Sequence, residues 1–154
     1  HGGESTTLYR SGTPTVALAS SLALALELAV EQLPQHRDAV RKANDFLRAE
    51  LSRYPKVRIN SPENAIPQIL NLSVQDVKGT VFQRALDEKG VCVSVKSACS
   101  SDGMPSRAVF AVSRDRRNAL SSWRISLSHL TTEEDLRGFL AAFDACYREL
   151  TETH

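Results

Sequence analysis

The sequence predicts an α+β fold, one layer of sheet covered by helices. Three observations predict it: two successive apolar stripes of helical period at the start, a shorter period beyond Pro55, and a capping signal ahead of a last helical stripe.

Residues 1–13 are rich in Gly, Ser and Thr, have no apolar period, and are expected to form a loop. In residues 14–33, Val16, Ala19, Ala23, Leu26, Val30 and Leu33 fall on one helical face, with Thr13 placed as N-cap and Pro14 as first helical residue. The most apolar stretch, residues 16–30, contains Ser20, Ser21 and Glu27 and is too short to span a bilayer, so a buried helix is expected. Pro34 should break or kink the path. A second helix over residues 35–54 should bury Val40, Ala43, Phe46, Leu47 and Leu51. It leaves Arg37, Arg41, Lys42, Arg48 and Glu50 largely wet.

Beyond Pro55, residues 57–60 and 68–74 read as strands separated by the turn-rich Ser61-Pro62-Glu63-Asn64. Residues 80–88 suit a short helix stopped by Gly90, and residues 91–95 a strand. A polar loop follows over residues 96–105. Short helical pieces are expected at 106–112 and 119–122, and an alternating strand at 123–128. Thr131-Thr132-Glu133-Glu134 signals the start of a final helix reaching about Leu150.

At 154 residues the chain is long enough to bury a core, and 42% hydrophobic with 24% charged residues is ordinary globular composition. Nineteen basic against 18 acidic residues give a net charge of +1, which offers no field suited to nucleic acid. Arg114, Arg116 and Arg117 form a small cluster expected in a solvated turn. The three cysteines, Cys92, Cys99 and Cys146, make no CxxC pair, so neither a zinc site nor a disulfide framework is expected. A reducing, cytoplasmic compartment fits, and the opening His-Gly-Gly-Glu does not resemble a signal peptide.

Three segments could carry chemistry. Cys99 sits in Lys96-Ser97-Ala98-Cys99-Ser100-Ser101-Asp102-Gly103, where a nearby cation and small neighbours favour a reactive, accessible thiolate. Cys92 and Cys146 lie in apolar surroundings and read as small buried hydrophobes. Arg10-Ser11-Gly12-Thr13-Pro14 leads straight into a helix; it is a good N-cap, and its free N–H groups and hydroxyls also suit a phosphate. Arg124 lies within Trp123-Arg124-Ile125-Ser126-Leu127. An arginine in an apolar strand is either exposed on the polar face or paired, and its planar fork matches a carboxylate.

Taken together and in this order, Arg10 to Thr13, Ser97 to Ser101 and Arg124 to Leu127, with Thr131 to Glu134 behind, resemble the motifs of cysteine desulfurases in the class V aminotransferase group. The resemblance covers essentially the whole chain, and Ser-Ala-Cys-Ser-Ser is its most specific part. It implies the small C-terminal domain of a fold-type I pyridoxal 5′-phosphate enzyme, with a mixed or antiparallel sheet, over residues 34–154. Residues 1–33 would be the end of the large cofactor domain, its dimer-contact loop and a linking helix. Cys99 would take sulfur from cofactor-bound L-cysteine as a persulfide, leaving L-alanine. Arg124 would hold the substrate carboxylate, and Thr13 would reach the cofactor phosphate of the partner subunit in a homodimer. Sulfur would then pass to an acceptor protein, such as an iron–sulfur scaffold or a tRNA-thiolation protein, with no direct nucleic-acid or membrane partner.

Departures from the family pattern accompany these matches. Lys96 replaces a small residue, Ser128 the usual glycine, and the segment from Cys99 to Pro105 is slightly short. None of Lys42, Lys56, Lys78, Lys89 or Lys96 has the Ser-x-His-Lys context of a Schiff-base lysine, so the chain alone is expected to be inactive. Two other functions stay open. One is a standalone sulfur-carrier or scaffold module, which would leave Thr13 and Arg124 without purpose. The other is a selenocysteine lyase or another class V aminotransferase.

Overall fold

The computed structural model describes residues 12–95 and 104–152. The chain divides into two compact units, residues 1–35 and 36–154.

The first unit has one described element, the beginning of helix α1 (Val16–Leu51). The helix starts two residues later than the proline signal suggested, with the Ala19 N–H donating to the Thr15 carbonyl at 3.0 Å. It also runs through Pro34, where two helices were expected. A proline costs a helix one N–H donor and crowds the preceding turn; Glu31, Gln32 and Leu33 before it and Gln35 after it favour helix strongly enough to carry the turn through. The expected burial is not found: Val16, Leu26, Val30 and Leu33 of that stripe are all more than half exposed. Within this unit no other described element exists to cover the stripe. By length and composition α1 is also apolar enough to cross a membrane, because the helix continues past residue 30.

The second unit is built on a three-stranded antiparallel sheet in the order β1 (Val57–Ile59), β2 (Ile69–Val74), β3 (Ser122–Ser126). Side chains alternate across it. Leu70, Leu72 and Val74 of β2 and Trp123 and Ile125 of β3 enter the core, while Asn71, Ser73 and Arg124 take the opposite face. Three helical surfaces close the core face. The end of α1 supplies Val40, Ala43, Leu47 and Leu51; helix α2 (Gly79–Asp87) supplies Phe82 and Leu86. The last helix, which runs over Glu133–Thr151, supplies Leu136, Phe139, Phe143, Cys146 and Tyr147. Phe82 stacks on Trp123 with centroids 5.2 Å apart, and Phe143 touches both rings. Phe46 departs from the expected stripe and is exposed. Asn44 is buried in the same turn, its amide donating to the Pro67 carbonyl at 2.8 Å and accepting from Arg48 Nε at 2.7 Å.

Gly79 is required where α2 meets β3, since a Cβ there would lie 2.5 Å from the Ser122 carbonyl oxygen. Gly90 follows α2 with φ +77°, the left-handed stop that its position suggested. Helices α3 (Arg107–Ser113) and α4 (Arg116–Ser121) come next, capped by Ser106 and Asp115. The arginine cluster is therefore no simple turn. Arg114 is the left-handed C-cap of α3, and Arg116 and Arg117 open α4. The last helix is α5, and its capping box joins Thr132 to Asp135. Residues 91–95 do not form the expected strand. Ser94 alone pairs with Arg124, through two backbone hydrogen bonds of 2.7 and 3.1 Å.

Candidate functional site

Of the three predicted site residues, Cys99 lies outside the described residues. Thr13 is exposed, ahead of α1 in the first unit. Arg124 is in the second unit, on β3.

The backbone of Arg124 is held from both sides. It pairs with Asn71 across β2, and with Ser94 on its other edge, where its N–H donates at 2.7 Å. With the neighbouring Trp123 and Ile125 locked in the core, strand alternation sends the Arg124 side chain to the polar face, where it is half-buried. Its Nε is buried and has no hydrogen-bond acceptor among the described residues. None of the ion pairs among the described residues involves it. A buried guanidinium donor without an acceptor costs free energy unless something fills the gap, and the group that matches its fork is a carboxylate or another oxyanion.

Sequence reasoning missed the polar network beside it. The Asn118 amide donates to Asn60 Oδ1 at 2.8 Å. The Asn60 amide in turn donates to Asn71 Oδ1 at 2.9 Å and to Ser73 Oγ at 2.7 Å. The Ser73 hydroxyl closes the circuit on the Asn118 carbonyl at 3.1 Å. The alternation Ile69-Leu70-Asn71-Leu72-Ser73 did show that Asn71 and Ser73 share a face. It could not show that Asn60 and Asn118, far away in sequence, would complete a network on it. Next to the network a polar depression of about 230 Å³ is lined by Arg58, Asp76, Asp115, Arg117 and Asn118 among others. Its two arginines and two aspartates balance, and Arg58 already approaches Asp115 at 3.5 Å, so it has no net preference for an anion.

The other cysteines split. Cys146 is buried as expected, and burial pushes its thiol pKa up, which keeps it protonated and inert. Cys92 is exposed, correcting the expectation of a buried residue: without strand pairing around it, its side chain turns outward, 3.9 Å from an Asp87 carboxylate oxygen.

The family model for aminotransferase class-V matches residues 3–139. The chain belongs to that family. It is 33% identical to the cysteine desulfurase IscS of Dictyoglomus turgidum over 97% of its own length and 39% of the relative's. A solved NifS-like protein superposes with a TM-score of 0.76 at 30% identity, over 92% of this chain and 36% of that one. The NifS-like protein from Rickettsia africae gives 0.72 at 28%, over 90% and 36%. The chain thus spans less than two-fifths of the length of these relatives. The α+β arrangement, an antiparallel sheet with a long leading helix, is the small-domain architecture of fold-type I enzymes that the motifs led us to expect.

Proposed function

We propose that this chain carries the sulfur-accepting and carboxylate-holding part of a pyridoxal 5′-phosphate-dependent cysteine desulfurase. Arg124 carries the reading: a strand-fixed guanidinium whose buried Nε lacks an acceptor among the described residues. Family membership and relatives that are cysteine desulfurases support it.

In this reading Arg124 binds the carboxylate of L-cysteine and so fixes where the substrate's sulfur lies. Cys99, as thiolate, attacks that sulfur. A new S–S bond forms as the substrate's C–S bond breaks, its electron pair staying with the substrate carbon, which takes a proton and leaves as L-alanine. Cys99 is left as a persulfide, whose outer sulfur a thiol of an acceptor protein removes. Pyridoxal phosphate, when bound, supplies the electron sink for the carbon skeleton.

The described residues fit one edge of that cofactor. The exposed hydroxyl of Thr13 suits a phosphate, contributed across a homodimer. No described lysine suits its aldehyde: Lys42, Lys56, Lys78 and Lys89 lack the Ser-x-His-Lys context, and Lys56 Nζ is engaged by the Thr151 carbonyl at 3.0 Å. The lysine would come from the remaining length that the relatives possess, so the chain alone would be inactive and acquire no cofactor colour. We place the enzyme in the cytoplasm, with iron–sulfur assembly or tRNA thiolation as the outlet for its sulfur.

The test is made in the full-length protein. Cys99→Ser should abolish alanine and persulfide formation from L-cysteine while cofactor content stays at the parent's level. Arg124→Ala should raise the KM for L-cysteine by about tenfold or more, the loss of a charge-assisted pair. Parent-like alanine production by Cys99→Ser, or an unchanged KM for Arg124→Ala, would overturn the proposal.

A further inference from the structure

We infer that Asn71 is a second, specificity-determining donor to the carboxylate held by Arg124. The inference rests on the reading of Arg124 given above and extends it to a residue that no motif marked.

Asn71 and Arg124 are register partners in the antiparallel pair β2–β3, so their side chains emerge side by side on the polar face. On the other flank of Asn71 lies Asn60, just past β1. The Asn60 amide donates to Asn71 Oδ1 at 2.9 Å. This fixes which way round Asn71 sits. Asn60 Oδ1 is taken by Asn118 and its two amide hydrogens go to Asn71 and Ser73, so a flipped Asn71 would set one NH₂ against another. With the oxygen turned toward β1, the amide nitrogen turns toward β3 and Arg124. That nitrogen makes no hydrogen bond among the described residues.

Two donors therefore stand side by side, the Asn71 amide and the Arg124 guanidinium, and donors cannot satisfy each other. The group that satisfies both is an oxyanion with two acceptor oxygens, the carboxylate of an amino acid. The network also removes any choice of polarity at Asn71, because its acceptor end is occupied. It favours an acceptor, most strongly an anionic one, and disfavours a group that offers only donors, such as an ammonium.

The experiment uses the full-length protein and the product L-alanine as probe, with ethylamine, which lacks the carboxylate, as control. Asn71→Asp keeps the oxygen that Asn60 needs but replaces the amide donor by an acceptor of like charge to the ligand. We expect L-alanine affinity by calorimetry to fall about tenfold or more, weak ethylamine binding to change little, and thermal stability to stay near the parent's. In the parent, the Asn71 side-chain amide resonances should shift on titration with L-alanine and not with ethylamine, which a purely structural asparagine would not show. If Arg124→Ala weakens L-alanine binding but Asn71→Asp does not, or if the Asn71 amide resonances stay still, the inference is overturned and the reading of Arg124 stands. If Arg124→Ala itself leaves L-alanine binding unchanged, the carboxylate site falls and Asn71 with it.

Discussion

Trp123 is wholly buried, stacked on Phe82, and its indole nitrogen has no acceptor among the described residues. The side chain thus contributes by apolar contact while its N–H is a liability, since a buried unpaired donor costs about 1–3 kcal/mol. Trp123→Phe should be close to neutral in stability, the lost ring volume offset by removal of that donor. Trp123→Ala should cost roughly 3–5 kcal/mol through its cavity. Urea denaturation of both variants checks the contrast, and a Phe variant as damaged as the Ala variant would show that the N–H is paired. The cysteines give a second measurement at this scale. In a Cys99→Ser background, iodoacetamide should label exposed Cys92 readily and spare Cys146, whose buried thiol is pushed up in pKa. The strand position of Arg124 was legible in the sequence from its apolar neighbours, and the resemblance supplied its expected role. Asn71 was not legible, because its meaning depends on Asn60 and Asn118 arriving from elsewhere in the chain.

Elements whose signals are local were legible. Thr132 begins α5, and its hydroxyl and backbone N–H both bond Asp135. Those bonds hold the Asp135 carboxyl below its ordinary value, so folding favours the charged form. The stabilisation is therefore present above the ordinary carboxylate range and lost as pH falls through the lowered native value. Asp135→Asn should flatten this acid-side loss in thermal melts, while Thr132→Ala should lower the melting temperature at neutral pH. Signals that depend on partners misled. Residues 91–95 alternate as a strand should, yet only Ser94 finds a bridge. Pro34, a local breaker, was overridden by good helix formers around it. Nothing in the sequence near Gly79 announces that the Ser122 carbonyl will press against it; Gly79→Ala should cost about 1–3 kcal/mol through that clash, measurable by the same denaturation.

At the scale of the molecule, the α+β class followed from the order of periods, because period reports which face of each element is buried without saying against what. That gap explains the largest miss. The stripe of Val16, Ala19, Ala23, Leu26, Val30 and Leu33 was expected in a core, and it is exposed. An apolar stripe of this length needs a cover, and the covers on offer are protein and lipid. Residues 16–33 contain Glu27 and Glu31 but no lysine or arginine, a poor match to an anionic membrane surface and an unfavourable load inside a bilayer. We expect protein to cover it. Without such a cover the chain should self-associate, with light scattering reporting a mass that rises with concentration. The double variant Leu22→Glu, Leu26→Glu should suppress the rise. It should leave the melting of residues 36–154 in place, since no residue of that unit's core lies before Val40. A monomeric parent chain that floats with neutral vesicles would show instead that lipid is the cover, and would remove the argument for a protein partner on this helix.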